Sequence, residues 1–352
     1  MIGELIMDLD EILREITSGL SGDSKQDISY LQEQMEIYKD HEFSKEITGA
    51  CGRIIYDLIP EDKQKELERI INNDVEGIKA TLKEIRFNVF EGDIEKAFRL
   101  SESLVSKIEE MAMFENDLAS EYFTFNNVFE EMLYVYYNKP KRDLRHSTIP
   151  YGEIYYIHGN LLFEMKRIDE ARIYLEKSLR WNPASCTAAF EYIETFKVRK
   201  EFDDFFRLTK EQFKYAYKPE YLARCYRNLG FYFIEKEEYS VAAGCYLMSM
   251  MYESDNKQAQ SELYYIQQTA PKGYKKPTPE LLDSYGEKYG FSIGACSDII
   301  GLARVYSQKA LKEGNLNVAI YFLDIFCGLT QNEDAIKLLE KLKIQLEEKG
   351  EV

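Results

Sequence analysis

An all-α fold is what this sequence predicts, and three observations predict it. Apolar residues recur at three- and four-residue intervals through most of the 352 residues. Proline is scarce, at eight residues. No series of alternating strands bounded by turn dipeptides is present.

The totals agree. Apolar residues make up 45% of the chain, enough for a sizeable core, and charged residues 30%. Acids outnumber bases 62 to 45, for a formal charge of −17. That field repels nucleic acid and anionic membrane at long range. The six cysteines, at 51, 186, 225, 245, 296 and 327, form no close pair of the metal-ligand kind. They read as buried, reduced thiols.

The elements follow in order. MIGELIMDLDEILREI carries acids where a signal peptide needs bases, and its stripe of Leu5, Leu9, Ile12 and Ile16 reads as an amphipathic helix. No run approaches the roughly 18–20 apolar residues of a membrane span, so a cytoplasmic location is expected. Asp23 and Ser24 open a helix carrying Ile28, Leu31, Met35 and Tyr38. Pro60-Glu61-Asp62 opens the next, with Leu67, Ile70 and Ile71 on its apolar side. Asn72-Asn73-Asp74 is expected to end that helix and cap another. Residues 78–111 read as a helix pair turning at Gly92-Asp93, and a further helix is expected near 118–137. The connector from Lys139 to Pro150 lies between two prolines.

Self-similarity then appears. In residues 152–185, Tyr155 is at the fourth position, Gly159 at the eighth, Ala171 at the twentieth, Leu175 at the twenty-fourth, Ser178 at the twenty-seventh and Pro183 at the thirty-second. Residues 223–256 repeat this with Tyr226, Leu229, Gly230, Phe233, Ala242, Tyr246 and Ser249. Small residues at the eighth, twentieth and twenty-seventh positions let two helices approach closely. Residues 186–219 have the same length but put Ile193 for the glycine and Phe205 for the alanine. Residues 300–333 place Ala303, Tyr306, Ala310, Ala319, Leu323 and Phe326 at repeat-like offsets, with a turn at Gly314-Asn315 and a closing helix near 334–348. Residues 270–294 break the rhythm with three prolines, four glycines and several lysines, and hold a short helix near 279–289.

The two best units resemble the tetratricopeptide repeat. The departures are Tyr155 and Tyr226 for tryptophan, His158 for leucine and Ser254 for proline. The resemblance implies a right-handed superhelical α-solenoid of antiparallel helix pairs, with a helical N-terminal extension. Its divisions are an extension at 1–75, divergent repeat-like helices and connector at 76–150, and a three-unit array at 151–256. A helix with the irregular segment follows at 257–294, then a C-terminal pair with its capping helix at 295–352.

It also implies a concave groove lined by the first helix of each unit. Its positions give Glu153, Tyr156, Asn160, Phe163 and Glu164, then Thr187, Phe190, Glu194, Lys197 and Val198, then Arg224, Arg227, Phe231, Ile234 and Glu235. Arg224 and Arg227 share a helix face and are suited to a carboxylate. Asn160 matches the family's chaperone-tail clamp, but Tyr156 stands where that clamp has lysine, so the clamp is not reproduced. The competing reading makes these residues solvated faces and intramolecular pairs. Tyr156 is expected to meet Arg142 or Arg145 if the connector folds over the groove mouth.

No Gly-rich phosphate loop, Gly-x-Ser-x-Gly or His-Glu-x-x-His motif occurs. His158 falls at a packing position, while His41 and His146 read as solvated. Lys272, Lys275 and Lys276 are expected to dock on the protein's own acidic body. The sequence thus points to a protein–protein adaptor or scaffold that binds a partner peptide or helix. No catalysis, cofactor, metal, nucleic acid or membrane is expected. An alternative is a peptide-sensing regulator acting through its N-terminal helices, although the first 75 residues lack a clear turn glycine between two short helices and a basic recognition helix, and the first 22 are net acidic.

Overall fold

The structure is a computed structural model, and it describes residues 8–111, 120–272 and 274–348. Among them lie seventeen helices and two short strands. The chain divides into two compact units, 1–184 and 185–352. The boundary falls between the first and second units of the expected array.

The first unit opens with α1 (Leu9–Ser18), α2 (Ser24–Ile37) and α3 (Ser44–Leu58). Asp8 accepts from the Glu11 amide at 2.8 Å, and the Glu11 carboxylate accepts from the Asp8 amide at 3.2 Å, a reciprocal N-terminal cap. Asp23 caps α2 as expected. Ile12, Leu13, Ile16, Leu31, Ile47, Ala50 and Cys51 form a core belonging to these three helices. Leu5 lies outside the described residues.

Next comes α4 (Glu61–Phe90), which runs unbroken through Asn72-Asn73-Asp74, against expectation. Tertiary packing overrides the local cap signal there. Val75, Ile78, Leu82 and Ile85 are buried, and Asp74 pairs with Lys107 of α5 (Ile94–Glu109) at 2.9 Å. The helix expected near 118–137 is the shorter α6 (Val128–Asn138). It links β1 (Ser120–Phe123) to β2 (Asp143–His146) as a parallel pair, with Ser120 opposite Asp143 and Phe123 opposite His146. The connector is thus partly a strand. Thr124, just past β1, donates its amide to the Trp181 carbonyl at 2.8 Å, and its hydroxyl accepts from the Gly152 amide at 3.1 Å. That seats the first turn of α7 (Tyr151–Glu164) beside α8 (Ile168–Trp181).

The second unit contains α9 (Cys186–Val198), α10 (Phe202–Gln212), α11 (Pro219–Glu235), α12 (Tyr239–Tyr252) and α13 (Lys257–Thr269). There follow α14 (Pro279–Tyr289), α15 (Ser297–Lys312), α16 (Leu316–Thr330) and α17 (Glu333–Glu348). Helices adjacent in sequence pack on one another: α9 on α10, α11 on α12, α15 on α16 and α16 on α17. The irregular segment is strapped down. Ser240 Oγ donates to the Lys275 carbonyl at 2.6 Å, and the Tyr226 hydroxyl accepts from the Gly294 amide at 2.6 Å.

One backbone motif recurs. The fifteenth residue of each expected unit is left-handed: Gly92, Lys166, Lys200, Glu237 and Gly314, with φ of 79°, 63°, 60°, 59° and 74°. In every case its amide donates to the carbonyl three residues back. The following amide donates to the carbonyl five residues back, as in Arg167 to Leu162 and Asn315 to Ala310. This satisfies the last carbonyls of the first helix and fixes the turn into the second.

Candidate functional site

The expected groove residues fall in both units, and each unit carries its own set. In the first, Tyr156, Asn160 and Phe163 lie along α7, all half-buried. Glu153, one turn before Tyr156, takes the Arg86 guanidinium, with Nε to Oε1 at 2.7 Å. Arg142 does not reach toward Tyr156. It pairs with Asp10 of α1 and stands 4.0 Å from Glu121 of β1, because pairing of the strands turns the connector that way. Arg145 is exposed on β2.

His158 is buried, stacked on Phe98 at 5.4 Å and edge-on to Tyr174 at 4.5 Å. The Ser101 hydroxyl donates to the Phe98 carbonyl, so His158 Nδ1–H donates to Ser101 Oγ at 2.9 Å. Burial, helped by the nearby Arg167 charge, pushes the imidazole down to about 4. This is a core histidine. His146 is exposed and 3.0 Å from Glu131.

In the second unit the groove residues come together on α9 and α11, as α-helical spacing predicts for one face. Glu194 is the hub. It holds Lys197 at 3.0 Å on its own helix and Arg224 at 3.1 Å on α11. Lys197 Nζ sits 4.5 Å over the Phe231 ring, which packs T-shaped with Phe202 and Phe205 at 5.8 and 5.7 Å. Arg227, whose side chain is only 10% exposed, donates to Glu253 at 2.6 Å and to Ser249 Oγ at 3.2 Å. Phe190 is buried, 6.2 Å from Tyr221. The competing reading therefore holds for the charged groups in part, since both arginines have internal carboxylates.

Two donors on this face are left over. Arg224 Nε and Arg227 Nε are buried and have no acceptor, an unpaired state that costs free energy inside a protein. Glu262 of α13 is also part of this setting. Burial raises its carboxyl, and the Lys197 charge partly offsets that. Val198 and Glu235 are exposed at the margin.

Cys51, Cys186, Cys225, Cys245 and Cys327 are buried free thiols, and Cys296 is half-buried. Among the described residues no group of three or more His, Cys, Asp or Glu is placed to hold a metal, and no helix is long and apolar enough to cross a membrane. Lys272, Lys275 and Lys276 are exposed and make no ion pair among the described residues, so their expected docking on acidic groups is not seen.

Sequence reasoning overlooked a cavity of about 300 Å³ at the far end of the second unit. Arg304, Ser307, Gln308 and Leu311 of α15, Leu323 and Phe326 of α16, Asn332, and Ala335 and Leu338 of α17 line it. The signal was available. Arg304, Gln308 and Leu311 are the fifth, ninth and twelfth residues of the 300–333 unit, and Ala335 and Leu338 the second and fifth of the next.

Comparison with protein-family models and with curated proteins gives no match for this chain.

Proposed function

We propose that the chain is a tetratricopeptide-type interaction protein, a right-handed superhelical solenoid of antiparallel helix pairs whose concave face binds a protein partner's peptide or helix. It acts as a cytoplasmic adaptor or scaffold, without catalysis, cofactor, metal, nucleic acid or membrane. One observation carries the reading: Phe231, Lys197, Glu194 and Arg224 are assembled across α9 and α11 as a half-buried aromatic and charged cluster. A peptide supplies apolar side chains for Phe231 and a carbonyl or carboxylate acceptor for the exposed part of the Arg224 guanidinium. The five identical helix-ending turns support the repeat architecture.

The test is affinity selection of peptides on the full chain, followed by titration of the selected peptides against Arg224→Glu and Phe231→Ala. Each variant is expected to weaken binding by about tenfold or more, the scale of an interface anchor. Thermal midpoints check that both variants remain folded. Selected peptides that bind wild type and both variants equally would remove this face from the function.

The peptide-sensing regulator keeps one specific observation in its favour. The α1–α3 core is tied to the strand connector through Asp10 and Arg142, and the connector leads into α7. An occupied α7 thus has a covalent and ionic route to the N-terminal helices.

A further inference from the structure

The cavity between α15 and α17 differs in kind from the α9–α11 face. There the cations are already paired with internal carboxylates. Here the floor is apolar, made by Leu311, Leu323, Phe326, Ala335 and Leu338. Its polar rim consists of donors still to be used. Arg304 and Gln308 make no ion pair or side-chain hydrogen bond among the described residues. Asn332 spends its carbonyl oxygen on the Ala335 amide at 2.9 Å, which leaves its NH₂ group for another acceptor.

At about 300 Å³ the space is at the lower end of the ligand-site range. It suits one or two side chains better than a bulky cofactor. Leu338 is 38% exposed, so the apolar lining is partly open to solvent, as at interaction sites.

The geometry points to a docking site for a peptide that seats one large aliphatic side chain, leucine or methionine, on this floor and turns an acidic side chain toward Arg304. The chemistry selects that partner. An apolar floor rewards an aliphatic group in proportion to the area removed from water. A rim of donors with an unpaired guanidinium rewards a carboxylate and penalises a lysine. The α9–α11 face and this cavity occupy corresponding positions of the repeat register. The inference therefore rests on the peptide-binding reading and adds where the anchor goes and what it is.

The experiment uses the full chain and fluorescein-labelled peptides of about three helical turns, carrying Leu or Met with Glu three or four residues away. Matched peptides carry Ala for the aliphatic residue or Lys for Glu. The Leu–Glu peptides are expected to bind, with each replacement costing on the order of tenfold in Kd. Ala335→Leu fills the cavity and is expected to cost a similar factor. Arg304→Glu, at an exposed position with no internal partner, is expected to reverse the preference from Glu to Lys. Binding that ignores both variants but falls with Arg224→Glu or Phe231→Ala would overturn this inference and leave the groove reading standing. Failure of every peptide, here and in the affinity selection, would overturn both.

Discussion

Between α7 and α8, a glycine faces a leucine: a methyl group added at Gly159 would lie 2.8 Å from Leu175 Cγ. In α9 and α10 the same two places, eighth and twenty-fourth, hold Ile193 and Thr209, both fully buried. The bulk has moved from the second helix to the first. The other units divide the same way. Gly230 stands against Tyr246, where an added methyl group would lie only 2.6 Å from the ring, while Ser307 answers to Leu323 and Ile85 to Ser101. All five pairs nevertheless make the same left-handed turn at the fifteenth residue. In each pair one helix supplies the bulk and the other the smaller residue, and which helix does so varies.

The comparison is broken most strongly by acid. His158 sits at the seventh position of the α7–α8 pair, and Tyr192 at the seventh position of the α9–α10 pair. The buried imidazole titrates near 4 against an ordinary value near 6.5. A folded value below the unfolded one means that the unfolded chain takes the proton first. The stability held by His158 is therefore complete above pH 6.5, is lost as pH falls toward about 4, and changes no further below that. At about 1.4 kcal/mol per tenfold, the loss reaches about 3 kcal/mol. Hydrogen exchange followed from pH 7 to 4 should show α5, α7 and α8 losing protection while α9 and α10 keep theirs. His158→Phe should flatten the profile. A profile that stays steep in that variant would assign the acid sensitivity to another group.

The volume rule is tested by moving bulk across the pair. Gly159→Ile alone overfills α7–α8 and is expected to cost about 1–3 kcal/mol. Adding Leu175→Thr gives the pair the composition of α9–α10 and should recover most of that loss, with a coupling energy of about 1 kcal/mol or more. Denaturant titration of the two single variants and the double measures it. Strict additivity would mean that the two positions do not share one space.

The same trade explains what could be read in advance. The cap at Asp23, the turn at Gly314, and the helices expected at 279–289 and near 334–348 carry local signals, and the structure has a cap, a turn and helices Pro279–Tyr289 and Glu333–Glu348 there. The 186–219 unit looked degenerate because a one-position comparison sees isoleucine for glycine and misses the threonine sixteen residues later. The strands were illegible for a different reason. Four residues, SEYF and DLRH, are too few to establish a period of two. In the candidate cluster, helical spacing predicts a shared side of α11 for Arg224 and Arg227, yet one turns to α9 and the other to α12. Their carboxylate partners, Glu194 and Glu253, come from α9 and the end of α12, 30 and 26 residues away. No local pattern encodes such a pairing, because it depends on how neighbouring helices are brought together.

The smallest effect tests the turn itself. Three of the five left-handed positions, Lys166, Lys200 and Glu237, carry a side chain, and two, Gly92 and Gly314, do not. An L-residue in that region costs roughly 1–2 kcal/mol because its Cβ crowds the backbone. Glycine escapes this but gives up more freedom on folding, by roughly 0.5–1 kcal/mol. The difference predicts that Lys200→Gly stabilises the α9–α10 pair by about 0.5–1 kcal/mol, whereas Gly314→Ala weakens the α15–α16 pair by a similar amount. Chemical denaturation of both variants gives the two signs. The Lys200 side chain is exposed and makes no ion pair among the described residues, so its removal loses no contact that would mask the backbone term. A destabilised Lys200→Gly would mean that the turn at that position is not held in the left-handed region in solution. The equivalence of the α7–α8 and α9–α10 turns would fail with it.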